Sequence, residues 1–479
     1  MKKNLKFIPL LLAITICILI FLSPFLFFLR SNNDDNTVQR FVRKNIHSTE
    51  AQADVEALNK ALEIMRKKPC DDPLSWYYQG AIHWIPDTIK NNQFCDSYHN
   101  LSDSKVAWRN CTHTKESEIH FLVWHRLYIY HFEKIVRKLS GKKDFALPYW
   151  GYTENGDLNK SLHPLFYDKN SSLYEACRFD SINSGYPISG EIERALDVTY
   201  LFKLTSYRNF NHQMDIAPHG AIHDYVGTGN DQTGSLRFNN PITGAVSNTG
   251  LMGWVPTAGF DPVFWTHHSN IDRLWQQWTN SNNGQPVTLE DLNSVNWEYV
   301  FFDENGKKVK YTNEEVIKII YNLDYDYDDC KVKSKEFKVK SQTPMKTLTV
   351  KSSEKIDNQL ETVSLGNINQ NLKGKVLELT ISYTNRPKGV YEVYINPDNN
   401  LHPSDDEFLG FMTFFGTDHK AQGKTCLNGC CGELTESGRY KQIFRWEITN
   451  SIIGKSVLHI YKSNGKVSSD IIIEKIQIN

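Results

Sequence analysis

The chain carries almost no net charge: 54 Lys and Arg stand against 55 Asp and Glu, for a formal charge of −1 over 479 residues. No basic stripe interleaved with aromatics stands out, so nucleic acid is not the expected partner. No internal repeat is visible, which excludes a solenoid or a propeller. Cysteine is sparse at nine. What is abundant is aromatic side chain, 12% of the total, which supports large cores rather than disorder. The length exceeds what one ordinary core accommodates, so two folded domains are expected.

The long apolar run that does stand out covers residues 7–29. Lys2, Lys3 and Lys6 precede it, and Arg30, Asp34 and Asp35 follow. It is longer than the apolar core of a signal peptide and long enough to span a bilayer, for which about 20 residues suffice. Residues 1–30 therefore read as an uncleaved signal anchor, with a cleaved signal peptide as the alternative. The lysines before the run place the bulk of the chain on the exported side. Cys17 falls in the run. The other eight cysteines would then meet an oxidising compartment, where disulfides form, although their pairing cannot be deduced.

Residues 31–48 read as a linker. Residues 49–329 read as mainly helical: apolar Val55, Leu58, Leu62 and Met65 recur at helical spacing over 51–66, a second helix covers 121–139 up to Gly141, His219 and His223 begin a third, and a fourth runs over 264–278. Lysine-rich residues 330–355 read as a second linker, exposed enough to be cut. Beyond them, alternating β-branched runs at 376–383, 390–395, 408–415, 456–461 and 470–478 predict an antiparallel β-sandwich over 356–479.

Two sets of histidines carry the chemistry. His219 and His223 lie one helical turn apart, so both imidazoles can reach one metal ion, and His267-His268 on the next helix offers a third. Three neutral nitrogens with no obligatory charged ligand suit copper or zinc. His83, His113 and His125 make a second set. Two sets in one domain point to a pair of metals. A di-zinc hydrolase would normally include carboxylate ligands, and no Asp or Glu falls at a ligand position. Cys426, Cys430 and Cys431 crowd together, but no matching second pair completes a metal knuckle, so disulfides are the better reading.

These residues resemble a known family. Phe121-Leu122-Val123-Trp124-His125-Arg126 with Ile129 and Glu133 is similar to the first copper signature of the tyrosinase, catechol oxidase and molluscan hemocyanin family. Asp261-Pro262-Val263-Phe264-Trp265 with His268 and Asp272 is similar to the second. Asp71-Asp72-Pro73-Leu74-Ser75-Trp76 before His83, and Tyr325-Asp326-Tyr327, look most like the plant-type polyphenol oxidases. Glu407-Phe408-Leu409-Gly410 looks like part of their β-rich C-terminal domain, which shields the site. The resemblance covers residues 43–327 and implies a mainly α fold: a tyrosinase-like domain whose central four-helix bundle holds two coppers, followed by the sandwich.

It also implies roles. His83, His113 and His125 would hold one copper; His219, His223 and His268 would hold the other, His268 being the later of the adjacent pair. His113 is preferred to His120 as the middle ligand because Cys111-Thr112-His113 matches the Cys-x-His that forms a thioether in part of this family. Asp224 and Asp272 are candidates to orient ligand imidazoles through their other nitrogen. Three positions bear on the substrate. Asp215 stands where the family often has a glutamate that holds a water able to act as base. Gly220 replaces an asparagine linked to monophenol activity. Val255 replaces a phenylalanine gate. The implied activity is oxidation of o-diphenols, with monophenols left open, to o-quinones by O2. The implied partners are a phenolic small molecule, O2, and a membrane through the N-terminal segment. The alternative is a hemocyanin-like oxygen carrier.

Overall fold

The computed structural model describes residues 40–84, 95, 118–229, 236–333 apart from 243 and 245, 347–356 apart from 352 and 353, 359–396, 404–416, 433–434, 437–462 and 470–479. Residues 7–29, Cys111, His113 and Cys426 to Cys431 lie outside the described residues. Among the described residues, no helix is long and apolar enough to cross a membrane.

The helical core is built from the elements that the apolar spacing predicts. Helix Gln52–Arg66 buries Val55, Leu58, Leu62 and Met65 against helix Phe121–Ser140. The latter stops at Gly141, whose φ of 77° is the left-handed turn that glycine adopts without strain. Helix Trp76–His83 starts at Ser75, whose hydroxyl accepts from the Tyr78 amide at 3.0 Å. Helix Pro262–Asn280 starts at Asp261, which accepts from the Val263 amide at 2.9 Å and is held by buried Arg178 at 2.7 Å. The third histidine-bearing segment is less regular than expected. Helix Tyr207–Met214 breaks at Ala217, whose φ of −152° and ψ of 134° are extended, and turns again through Pro218 into helix Ala221–Thr228.

The expected linker 31–48 includes structure. Strand Phe41–Arg43 pairs in parallel with Tyr325–Tyr327. Arg43 is fully buried, bridging Glu133 at 2.7 Å and Asp272 at 3.2 Å beneath the Tyr325 ring. Asp272 also binds Arg126 and accepts from the Tyr325 and Tyr327 hydroxyls. A three-residue strand has no periodicity to read, and an arginine at its end argues superficially for exposure.

Beyond residue 346 the chain forms two antiparallel sheets. One has the order Phe408–Met412, Tyr391–Asn396, Gly454–Lys462, Leu360–Ile368. The other runs Glu433–Leu434, Tyr440–Glu447, Val376–Tyr383, Ile472–Ile478, Leu348–Lys351. Leu377, Leu379, Ile381 and Tyr383 alternate into a core shared with Phe444, Trp446, Leu458 and Ile460. Strand Leu348–Lys351 lies inside the stretch expected as linker 330–355. Its lysine and threonine content hid an edge strand, where polar residues belong. Leu360–Ile368 and Tyr440–Glu447 also went unread: their polar positions interrupt the apolar alternation.

Cys70 and Cys95 form a disulfide. Cys177 and Cys330 are thiols, contrary to the expectation that the exported cysteines pair; Cys177 is buried and donates to the Asn239 carbonyl at 3.1 Å.

Candidate metal centre

Backbone carbonyls set the orientation of the histidines. His83, at the end of its helix, donates from Nδ1 to the Val255 carbonyl at 2.9 Å. His125 donates to Phe121 one turn back at 2.8 Å, and His223 to Met252 at 2.8 Å. His219 donates to the Asp215 carbonyl at 3.1 Å. A proton on Nδ1 leaves the lone pair on Nε2, the tautomer a metal needs. His268 has both ring nitrogens buried without a hydrogen-bond partner. Burial, then the neighbouring His125, His267, His219 and His223, pushes it well below its ordinary pKa, so its imidazole is neutral.

These imidazoles converge. The potential ligand atoms of His219, His223, His267 and His268 lie within 4.8 Å of one another. The second group adjoins them: His125 stacks on His268 with centroids 4.1 Å apart, and His83 lies 5.6 Å from His125. Phe264 packs between the groups, 4.2 Å from His268 and 5.0 Å from His83. Five of the six expected ligands are thus together, and His113 lies outside the described residues. The all-nitrogen donor set and the unpartnered nitrogens of His268 fit copper. His267, read as a neighbour rather than a ligand, is in the group; its Nδ1 bonds the Tyr152 hydroxyl at 2.9 Å. His120, the rival to His113, has both nitrogens occupied, by the Tyr299 hydroxyl at 2.6 Å and the Val295 carbonyl at 3.2 Å. Burial lowers it to about 4, consistent with a neutral structural imidazole.

Neither Asp224 nor Asp272 orients a ligand imidazole by a contact seen here. Asp272 is consumed by Arg43, Arg126 and two tyrosines, and Asp224 binds Arg386 of the C-terminal region. The carbonyls take that role, and a sequence cannot show which carbonyl will face which ring. Asp215 is the carboxylate that reaches a ligand, with Oδ1 3.0 Å from His219 Nδ1.

One residue of the centre was missed. Phe415, three residues beyond strand Phe408–Met412, reaches in from the sandwich. Its ring stacks on His223 at 4.3 Å and 18° and meets His219 edge-on at 5.7 Å. Phe415 and Trp84 both pack against buried Val255. Thr413 donates to the Ile216 carbonyl at 2.8 Å. A Cβ on Gly220 would sit 3.0 Å from Thr413 Oγ1 and 3.2 Å from Phe415 Cβ, so glycine admits this approach.

A helical bundle bearing two adjoining histidine groups, packed against a β-sandwich, presents a buried, histidine-lined candidate metal site. The common central domain of tyrosinase matches residues 73–193 and 180–281. Aureusidin synthase of Antirrhinum majus is 27% identical over 323 residues, 61% of this chain and 52% of that protein. A tyrosinase of Hahella sp. (strain CCB-MM4) is 29% identical, covering 54% and 57%. Polyphenol oxidase C, chloroplastic, of Solanum lycopersicum is 26% identical, covering 74% and 60%. The chain thus spans between half and three-fifths of the length of these curated relatives. Two solved structures share the fold: latent aurone synthase from natural source, with TM-score 0.61 at 19% identity over 93% of this chain and 90% of that one, and latent apple tyrosinase, with TM-score 0.60 at 19% identity over 92% and 97%. Residues 73–281 thus carry the common central domain of tyrosinase, and the chain is similar to tyrosinases and polyphenol oxidases.

Proposed function

We propose that this chain is a copper-dependent phenol oxidase that converts o-diphenols to o-quinones. The observation that carries the reading is the set of imidazoles locked by backbone carbonyls, with the ligand atoms of His219, His223, His267 and His268 within 4.8 Å of one another and the rings of His125 and His83 adjoining them. His83, His113 and His125 would hold one copper; His219, His223 and His268 the other. A bound copper pair supplies the two-electron exchange with O2. Two diphenols lose four electrons and four protons, and one O2 becomes two waters.

The protein's part is placement. Phe415 lies flat on His223 and packs against Val255, where a phenol ring would have to lie. The full chain is therefore shut until the sandwich moves, and phenol competes with Phe415 for this slot. Asp215 and Gly220 flank it, and their roles decide whether monophenols react as well. Export to an oxidising compartment is part of the proposal, supported by the Cys70–Cys95 disulfide.

The test is oxygen uptake by copper-loaded protein with a catechol and with tyramine, comparing wild type with Phe415→Ala. The variant is expected to oxidise the catechol without further treatment, at a rate at least tenfold above wild type. Oxygen binding with no turnover of either phenol, even in the variant, would overturn the oxidase in favour of an oxygen carrier.

A further inference from the structure

The carboxylate of Asp215 faces the metal centre in a way that the base role does not require. Helix Tyr207–Met214 ends as the Asp215 amide donates to the Asn211 and His212 carbonyls. The chain then leaves the helical path at Ala217 and resumes it, which brings His219 back beneath Asp215. Two oxygens of Asp215 converge on one nitrogen: its carbonyl is 3.1 Å and its Oδ1 3.0 Å from His219 Nδ1. The turn is pinned on both sides. The Tyr200 hydroxyl donates to the Ala217 carbonyl at 2.9 Å, and Thr413 to the Ile216 carbonyl. The His219 side chain is fully buried and that of Asp215 is 16% exposed, so the charge acts on the ring through little water.

We propose that Asp215 is a positioning residue for the second metal: its carboxylate takes the Nδ1 proton of His219 in a hydrogen bond, fixes the ring and strengthens Nε2 as a metal donor. The inference rests on the metal-binding reading above but departs from the family expectation for this position, a carboxylate that holds a water to act on substrate. Asp is one methylene shorter than Glu, and that shortening is what draws the carboxylate back onto the ring beside its own carbonyl.

The two roles separate on binding rather than activity. Partners of this kind are typically worth 10–100-fold in metal affinity. Cobalt(II) serves as the probe, because imidazole sites take it whatever their redox function, and its visible bands report the ligand field. Wild type, Asp215→Asn and Asp215→Glu would be titrated with cobalt(II) against a chelator. The expected result is a 10–100-fold weaker second site in Asp215→Asn, shifted cobalt bands for that site alone, and partial recovery in Asp215→Glu. Affinity and bands equal to wild type in Asp215→Asn would overturn the inference and return the residue to the base role. Loss of both sites together would also overturn it, because the residue would then be maintaining the fold. A wild-type protein that takes up cobalt but oxidises no phenol sinks the proposed oxidase and leaves this inference standing; one that takes up no metal sinks both.

Discussion

At the scale of single residues, Gly220 shows how a structure reassigns a sequence signal. By resemblance its lack of an asparagine side chain speaks to substrate choice. In the fold its missing Cβ is what lets Thr413 and Phe415 seat, at the 3.0 and 3.2 Å such an atom would leave. Gly220→Asn should therefore unseat the sandwich. Activity of the uncut protein should rise several-fold toward that of Phe415→Ala, and the ratio of the two rates measures it. An unchanged ratio would return Gly220 to substrate choice. The histidine groups themselves were legible because metal binding needs particular residue types at particular spacings. Asp224 and Asp272 were misread because a carboxylate near a histidine in sequence has other partners to choose from, here Arg386 and the Arg43–Arg126 cluster.

At the scale of elements, amphipathic helices and alternating strands could be read to within a few residues, as for Val376–Tyr383 and Phe121–Ser140. Elements stabilised by a buried ion pair or by an edge position could not, as for Phe41–Arg43 and Leu348–Lys351. What joins the two layers was equally invisible. Glu118, just ahead of the helix that carries His125, binds Arg445 of the sandwich at 2.6 Å and His212 at 3.1 Å. The Arg445 amide in turn donates to His212 Nε2 at 3.1 Å, and Arg445 also binds Glu378 at 2.9 Å. Burial raises the Glu118 pKa, but His212 and Arg445 outweigh it and hold the carboxyl below its ordinary 4.5. A lowered folded pKa gives stability that is full above the unfolded value and lost as pH falls through the folded one. Docking of the sandwich should thus weaken below pH 4.5. Uncut protein assayed after brief acid exposure should be more active than untreated protein, and Glu118→Gln should blunt the effect. Equal acid response in that variant would assign the weakening elsewhere.

At the scale of the whole molecule, the sandwich is held by more than its covalent connection. Glu447 accepts from Thr205 and Asn209, Arg194 binds Asp405 at 2.8 Å, and Tyr200 packs on Phe408 and Phe411. Strand Leu348–Lys351 belongs to the sandwich, so a cut between Lys333 and Thr347 leaves both layers intact. Cut protein should elute from gel filtration at the size of the uncut chain at neutral pH and remain nearly inactive. Separation on cutting alone would show that the peptide connection, not the interface, keeps the site closed.

The two unpaired sulfurs have a bearing on survival during turnover. A quinone is an electrophile, and the nucleophile it seeks first in a protein is a thiolate. Burial pushes the Cys177 thiol up to about 12, and burial likewise raises Cys330. At neutral pH only on the order of 1 in 100,000 copies of Cys177 would be ionised. Under the proposed function, Cys177, buried and protonated, and Cys330, held protonated, would be spared arylation by a quinone product.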